Sequence, residues 1–205
     1  MIIKPLAKDI NLHWIRTPEE AAEWRPGFIG AYQTIFAEAP YFERYTPLDA
    51  EGIYQKLSSV TGNITLIAAK TNRTVVGFGI AIPIRDKYSV SAELSGLIPI
   101  THTMYLAELG VLEEYRRMGI GRTLIRERLR LIDQNNFSHV VLRVSTNFDP
   151  AKSLYESLGF EDMGVYMEVS RVRTDGLVKT DRRLFMSHLL SQVPLEKLDE
   201  DEPAP

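Results

Sequence analysis

Two glycines and three arginines lie within seven consecutive residues, 116–122, in an arrangement that suits the binding of a phosphate. Gly119 and Gly121 follow a charged turn and open an amphipathic segment, and Arg116, Arg117 and Arg122 surround them. The first turn of a helix has backbone N–H groups without partners and carries partial positive charge. Because glycine has no side chain, an anion can approach the backbone closely there. The segment therefore predicts a site for a phosphate or a pyrophosphate.

The residues on either side of these glycines predict the elements that position them. Residues 105–112 form a short and mostly apolar run, which is typical of a buried strand. From Gly121 onward, apolar residues recur at helical spacing. They are Leu124, Ile125, Leu129, Leu131 and Ile132. The remaining arginines of this helix are expected to form a solvated face, and they are Arg126, Arg128 and Arg130.

The glycine turn lacks the full patterns of nucleotide-binding and dinucleotide-binding loops. It resembles instead the signature R/Q-x-x-G-x-G/A of the Gcn5-related N-acetyltransferase (GNAT) superfamily, at Arg116, Gly119 and Gly121. The resemblance implies that loop amides hold the pyrophosphate of acetyl-CoA, and that the preceding strand contacts the pantetheine arm and the thioester through its backbone. A turn that only closes a strand–helix junction is the alternative. The cofactor-binding residues implied are Leu109, Gly110, Val111, Arg116, Arg117, Met118, Gly119, Ile120, Gly121, Arg122, Thr123, Asn147 and Tyr155.

A second segment resembles the same family. Residues 147–160 follow its pattern N-x-x-A-x-x-x-Y-x-x-x-G-F at Ala151, Tyr155 and Gly159, but Asn147 precedes Ala151 by four residues instead of three. This offset leaves the role of the family's asparagine open. The resemblance implies that Tyr155 protonates the departing CoA thiolate, since a tyrosine with a pKa near its usual value of about 10 carries its proton at neutral pH. A core aromatic residue is the alternative.

The general base is assigned to Glu108, the one acid inside the predicted central strand. Apolar surroundings should raise its pKa, which suits a base. Side chains alternate along a strand, so Leu109 and Val111 lie on the opposite face unless a bulge shifts the register. Members of the family often carry the acid one position earlier, where this chain has Ala107. Glu93 and deprotonation through ordered water are the alternatives.

The acceptor is expected to lie against aromatic rings with acids nearby, which would suit a cationic amine. These residues are Phe36, Glu38, Tyr41, Phe42, Glu43, Tyr45 and Tyr88. Core packing explains the same residues equally well. The histidines show no metal-ligand spacing, and no metal site is predicted. They are His13, His102, His139 and His188.

The composition is that of an ordinary globular protein. The chain has 205 residues, 44% of them apolar, and a net charge of −3, which argues against nucleic-acid or membrane surfaces as partners. The absence of cysteine excludes disulfides and cysteine nucleophiles and fits a cytoplasmic protein. No apolar run approaches the roughly 20 residues that span a bilayer. We expect one domain over residues 1–193 and an acidic, disordered tail over residues 194–205.

The order of predicted elements matches that of the family. It begins with a strand at Ile10–Trp14, continues with a helix that stops at Pro26, and places a long hairpin loop over residues 85–103. The resemblance implies an acyl-CoA N-acyltransferase fold of the α+β class. In this fold, α/β/α layers enclose a mixed, mostly antiparallel sheet of about seven strands with splayed central strands and flanking helices.

The implied activity is direct transfer of an acetyl group from acetyl-CoA to a primary amine of a small molecule. Acetylation of a protein N-terminus or lysine is one alternative. A non-catalytic acyl-CoA-binding regulator is the other, because Ala107 occupies the position where the family often has its acid. The acceptor, the acyl-chain preference and the oligomeric state, including a homodimer, stay open at this point.

Overall fold

An eight-stranded sheet runs through the middle of the protein. The computed structural model describes residues 2–7, 9–147 and 149–190. The strands are β1 (Ile2–Ala7), β2 (Ile10–Ile15), β3 (Ile64–Lys70), β4 (Val75–Pro83), β5 (Thr103–Val111), β6 (His139–Ser145), β7 (Glu161–Val172) and β8 (Val178–Leu189). They lie side by side in the order β1-β2-β3-β4-β5-β6-β8-β7. Within the described ranges β5 and β6 pair in parallel, and every other neighbouring pair is antiparallel.

Helices cover both faces of the sheet. They are α1 (Pro18–Ala37), α2 (Pro47–Ser58), α3 (Tyr88–Ser91), α4 (Ile120–Leu131) and α5 (Asp149–Glu156). The apolar side chains of α1 and α2 form one core on one face, and those of α4 and α5 form a second core on the other face. This arrangement confirms the predicted α+β layers around a mixed sheet.

The first helix is longer than the sequence predicts. The expected stop at Pro26 is wrong, because α1 continues through it as one helix to Ala37. A proline inside a helix removes one backbone hydrogen bond and costs about 3 kcal/mol. Trp24, Phe28 and Tyr32 lie on both sides of the proline and are all buried in the same core. Burial of each such ring contributes about 1.5–3 kcal/mol, which offsets the lost bond.

Three further expectations need correction. Strand β1 precedes the predicted first strand, so the sheet has eight strands instead of about seven. Residues 85–103 contain helix α3 and two short 3-10 turns and are not an open hairpin loop. The apolar residues between Leu184 and Leu190 predict a last strand that starts at Arg183, but β8 already begins at Val178. The predicted boundary at residue 193 and the acidic tail lie outside the described residues.

The two parallel strands stay together over three residue pairs only. Thr103, Met104 and Tyr105 pair with the first three residues of β6. Beyond this point β6 remains paired with β8, while β5 remains paired with β4. The edge of β5 over residues 106–111 therefore has no strand partner, and the predicted splay of the central strands is confirmed.

A β-bulge interrupts β5 where it leaves β6. Ile80 pairs with Glu108, but the next residue of β4, Ala81, pairs with Leu106, so Ala107 is the extra residue. A bulge of this kind breaks the alternation of side chains. Ala107 and Glu108 consequently line the same cavity, on the face of the sheet that α1 and α2 cover.

Arg128 of α4 holds this bulge from the other face. Its Nε donates to the carbonyl oxygen of Leu124 at 3.0 Å, and its Nη1 donates to the carbonyl oxygens of Glu108 at 3.0 Å and Ile80 at 3.2 Å. The carbonyls of Glu108 and Ile80 belong to the two strands that the bulge joins. Gly79 provides the space, since a Cβ there would lie 2.8 Å from Nε of Arg128.

Arg128 is thus not part of a solvated face, as the sequence predicts, because its side chain is completely buried. It follows Leu124 by four residues and Ile125 by three, which places it on the apolar stripe of α4. Burial lowers the pKa of its guanidinium to about 10, so the group is still cationic at neutral pH. The arginine at 126 is half-buried and only Arg130 is exposed, as expected.

We predict an energetic coupling between Gly79 and Arg128. Gly79→Ala should lower the free energy of unfolding by about 1–3 kcal/mol, because the new methyl group displaces the guanidinium from its buried carbonyl partners. In the Arg128→Met background the same change should cost at least about 1 kcal/mol less. Urea denaturation of the unchanged protein, the two single variants and the double variant measures the coupling. Gly30→Ala, at a helical glycine with open space around it, is the control, and additive effects at residues 79 and 128 would contradict the prediction.

Candidate active site

The loop before α4 presents a row of backbone amides without acceptors. Gly119 has φ +79°, in the left-handed region that favours glycine, and turns the chain into the helix. The first backbone bond of α4 runs from the amide of Thr123 to the carbonyl of Gly119 at 3.0 Å. Within the described residues, the amides of residues 117–122 donate to no protein acceptor. The loop thus has the unbonded donors that the predicted phosphate site requires.

The side chains of this loop are directed in different ways. Arg117 and Met118 are exposed, while Ile120 points into the core under α4. Gly121 lies close to Leu154 of α5, because a Cβ there would be 3.7 Å from the leucine side chain. Arg122 donates from Nη2 to Oγ of Ser157 at 2.9 Å and thereby joins α4 to the residue that follows α5. The loop, α4 and α5 therefore meet at one place.

The guanidinium of Arg116 is bonded within the protein, whereas the sequence predicts that it adds positive charge for a phosphate. Its Nε donates to the carbonyl of Val111 at 3.1 Å, and its Nη1 donates to that of Ala39 at 3.4 Å. Its Nη2 lies 3.8 Å from a carboxylate oxygen of Glu38. The guanidinium thus connects the end of β5 to the segment after α1, and its charge is partly balanced within the protein.

The open edge of β5 lies directly before this loop. The side chains of Leu109 and Val111 pack into the core under α4. Gly110 faces the other way, where a Cβ would lie 2.7 Å from Phe78 and 3.1 Å from Ile35. The residues predicted to contact the pantetheine arm therefore offer backbone groups along an edge that β6 has left.

Tyr155 lies in α5 with its ring against Phe160, and the ring centroids are 5.6 Å apart. The residue is buried, but its hydroxyl has no hydrogen-bond partner among the described residues. Burial raises its pKa above the usual value, and the nearby charge of Arg128 opposes that rise. The hydroxyl is therefore a proton donor at neutral pH with no competing partner in the described part of the chain.

The side-chain amide of Asn147 already makes one hydrogen bond within the protein. Its Nδ2 donates to Oδ1 of Asp181 at 3.1 Å, and its backbone amide donates to Oγ of Ser145 at 3.2 Å. Asp181 also accepts a bond of 2.9 Å from the Ser145 hydroxyl. The one-residue offset in the sequence motif thus coincides with an asparagine whose amide is bonded to β8.

Glu108 borders a cavity of about 130 Å³ between the sheet and helices α1 and α2. The hydroxyl of Tyr32 donates to its carboxylate at 3.3 Å. Burial raises the pKa of Glu108 to about 7, against the opposing effect of the positive charges of Lys87 and Arg143. Glu93, the alternative base, is exposed and does not line this cavity. Side-chain alternation alone would leave the position of Glu108 relative to the cofactor strand in doubt. The bulge interrupts this alternation and turns Glu108 into the cavity.

The expected acceptor residues are brought together only in part. Phe36, Glu43 and Tyr45 line the cavity. Phe42 and Tyr88 are exposed, Glu38 lies near Arg116, and Tyr41 lines a separate cavity next to Asn147.

Five basic residues of the cavity were not predicted from the sequence. They are Lys56, Lys87, Arg143, Arg171 and Arg183. Arg143 carried a signal, because it interrupts the apolar run of β6. The others lie in separate elements, and their positions in the chain give no indication that they meet.

No metal site is evident among the described residues, where no three His, Asp or Glu side chains are grouped to hold an ion. His102 is exposed and contacts the carbonyl of Asn136, and His188 is buried against that of Gly159. No helix in the described ranges is long and apolar enough to cross a bilayer.

Comparisons with known proteins agree with this geometry. Rat N-acetyltransferase family 8 member 3 is 32% identical over 112 residues, which are 54% of this chain and 45% of the relative. This chain thus spans about half the length of the curated relatives it matches.

Two solved structures show the same fold. The yncA protein of Salmonella typhimurium, solved with its cofactor acetyl-CoA, has a TM-score of 0.63 at 14% identity, over 91% of this chain and 97% of its own. A spermidine N-acetyltransferase mutant of Vibrio cholerae has a TM-score of 0.58 at 18% identity, over 96% of this chain and 100% of its own.

The family model described as "Acetyltransferase (GNAT) family" matches residues 28–160. That range contains the bulged strand β5, the glycine loop and the helix that carries Tyr155. Because the match covers more than half of the chain and includes all three parts of the site, the chain belongs to the acetyltransferase (GNAT) family, whose members use acetyl-CoA.

Proposed function

We propose that the protein transfers an acetyl group from acetyl-CoA directly to a primary amine of a small molecule. The observation that carries this proposal is the row of unbonded amides at residues 117–122, next to the open edge of β5. The carboxylate of Glu108 lies on that same strand and faces a cavity of its own. A donor site and an acceptor site thus meet at one bulge.

The loop amides and the dipole of α4 would hold the pyrophosphate of acetyl-CoA. The backbone of residues 109–111 would hold the pantetheine arm. When bound, acetyl-CoA supplies the acetyl group as a reactive thioester. The protein contributes the alignment of this group with the amine, which can lower the barrier by several kcal/mol.

Glu108 is proposed as the general base for the amine. Its pKa of about 7 means that a substantial fraction is ionised at neutral pH, while the carboxylate still holds a proton well. The Tyr32 hydroxyl fixes its orientation. A carboxylate at this position also argues against a regulator that has lost its base, because Glu108 replaces the acid missing at Ala107.

Tyr155 is proposed to give the proton that the CoA sulfur needs as it leaves. Its hydroxyl carries a proton at neutral pH and has no other partner among the described residues. The buried cation of Arg128 acts on this hydroxyl and favours its ionised form, which assists the transfer.

A small acceptor is favoured over a protein terminus because the cavity is small, about 130 Å³, and the chain covers one side of it. The segment after α1 pairs with the end of β7 through the bonds from the Arg44 amide to Val172, 2.9 Å, and from the Thr174 amide to Phe42, 2.8 Å. This segment carries the buried Glu43, whose carboxylate faces the cavity.

Gly121→Trp should abolish binding of acetyl-CoA, because the indole would cover the amides at the start of α4. Isothermal calorimetry measures the affinity directly. Gly30→Trp places the same side chain on α1, where nothing lies within 4 Å of the glycine, and should leave the affinity unchanged. Equal affinities of the two variants would remove the proposed pyrophosphate site.

Glu108→Gln should lower kcat by about 100-fold or more. In the unchanged protein the rate should rise as the pH increases through about 7, because the carboxyl is protonated and inactive below that value. The variant should lose this inflection and follow only the ionisation of the free amine. Glu93→Gln should keep the inflection, and its persistence in Glu108→Gln would exclude Glu108 as the base.

Tyr155→Phe should slow turnover by about 100-fold with little change in the affinity for acetyl-CoA, because only a proton donor is removed. Rates and calorimetry on the same preparation separate the two effects. The aromatic control is Phe160→Tyr, which keeps the Tyr155 hydroxyl. A fully active Tyr155→Phe variant would show that the hydroxyl donates no essential proton.

A further inference from the structure

The cavity next to Glu108 contains more cationic than acidic side chains, in addition to the expected aromatic rings and Glu43. Its lining contains five cationic and two acidic side chains. The cations are Lys56, Lys87, Arg143, Arg171 and Arg183, and the acids are Glu43 and Glu108. Glu108 loses its charge as the pH falls through about 7, which leaves the lining still more positive.

Only one of these cations is neutralised within the described residues. Arg183 lies 3.0 Å from a carboxylate oxygen of Glu43 and 2.6 Å from one of Asp181. In the same part of the chain, no carboxylate lies within salt-bridge distance of the other four cations. The carboxylate of Glu43 accepts two bonds, because the Tyr45 hydroxyl also donates to it, at 2.7 Å.

Two guanidinium groups, those of the half-buried Arg143 and the exposed Arg171, are oriented by hydrogen bonds and keep a donor available. Arg143 donates from Nε to the Tyr105 hydroxyl at 2.9 Å and from Nη1 to the sulfur of Met167 at 2.9 Å. Arg171 donates from Nε to the Tyr45 hydroxyl at 3.2 Å and from Nη1 to a backbone carbonyl. In both cases Nη2 has no partner among the described residues. Oriented, unoccupied guanidinium donors are well suited to a carboxylate or phosphate.

The pKa of Lys87 is influenced by the other cations of the cavity. Burial lowers the pKa of its ammonium group, and the positive charges of Lys56, Arg143 and Arg171 lower it further. The charge of Glu108 opposes this effect. These cations are therefore close enough to repel one another, and an anion among them would relieve the repulsion.

Resting on the acetyl transfer proposed above, we propose that the acceptor is a small amine that also carries an anionic group, and specifically an amino acid with a free carboxylate. Its amine faces Glu108, and its carboxylate lies among Lys87, Arg143 and Arg171. The cavity of about 130 Å³ suits a molecule of this size. Polyamines are disfavoured, because their second ammonium group would meet the cations.

Matched acceptors test this assignment. Linear amino acids of increasing length, such as glycine, β-alanine and 4-aminobutyrate, are compared with the alkylamine and the diamine of the same length. We expect kcat/KM to be at least about tenfold higher for the best amino acid than for the alkylamine of the same length, because the cations of the cavity attract its carboxylate. The diamine should have the lowest kcat/KM, because the same cations repel its second ammonium group. Higher kcat/KM for the alkylamine or the diamine at every length would overturn the proposal.

Lys87→Met removes a charge from the cavity. The Lys87 side chain makes no hydrogen bond or ion pair among the described residues, so the variant should fold. It should reduce the ratio of kcat/KM for the amino acid to kcat/KM for the alkylamine by at least about tenfold. The ratio is the readout because the loss of the Lys87 charge also raises the pKa of Glu108, which affects both amines alike. Arg130→Met removes the same charge from the exposed face of α4 and should keep the full preference. An unchanged preference in both Lys87→Met and Arg171→Met would contradict the assignment.

Binding without acetyl-CoA gives an independent readout. The N-acetylated amino acid should raise the melting temperature of the protein, and the N-alkylacetamide of the same length should not. If no amine at all releases CoA although acetyl-CoA binds, the proposed transfer fails. If CoA is released but neutral or cationic amines are preferred, the transfer stands and only the anionic acceptor is wrong.

Discussion

The separation of β5 from β6 after three residue pairs is the constraint on which the rest of the structure depends. A strand in the middle of a sheet normally has both edges bonded, and a buried edge without partners is costly. Here β5 keeps β4 on one side and loses β6 on the other, so residues 106–111 present main-chain groups to a crevice. The glycine loop follows at once and adds the free amides of residues 117–122. A thioester with a long polar arm and a pyrophosphate matches both groups of donors and acceptors, which explains why the two features occur together.

The bulge at Ala107 connects the two faces of the sheet. On one face it directs Glu108 into the cavity under α1 and α2, and on the other face it exposes carbonyl oxygens that Arg128 binds. Arg128 thus stabilises the backbone that carries Glu108, the proposed base, and its charge also acts on Tyr155. Gly79 is required for this arrangement because only a residue without a side chain leaves room for the guanidinium. A buried charge of this kind is tolerated because several carbonyl groups surround it.

Local patterns predicted most of the elements. The apolar alternation of β6, the capping threonines of α1 and α2, and the glycine turn before α4 all depend on residues close together in the chain. The sequence could not show that α1 continues through Pro26, since that depends on aromatic packing against the sheet. It could not show the charge of the cavity either, because Lys87, Arg143 and Arg171 come from three separate elements. The position of Arg128 on the apolar stripe of α4 was visible in the spacing, but its charge suggested a solvated side chain.

Backbone hydrogen exchange with and without acetyl-CoA tests the central claim most directly. The amides of residues 117–122 lack protein acceptors, so they should exchange quickly in the free protein and become protected when acetyl-CoA is added at saturation. Protection should extend to the open edge of β5 and should be absent from the outer strands β1 and β2. Unchanged exchange at residues 117–122 under saturating acetyl-CoA, or protection that appears only at β1 and β2, would contradict the account.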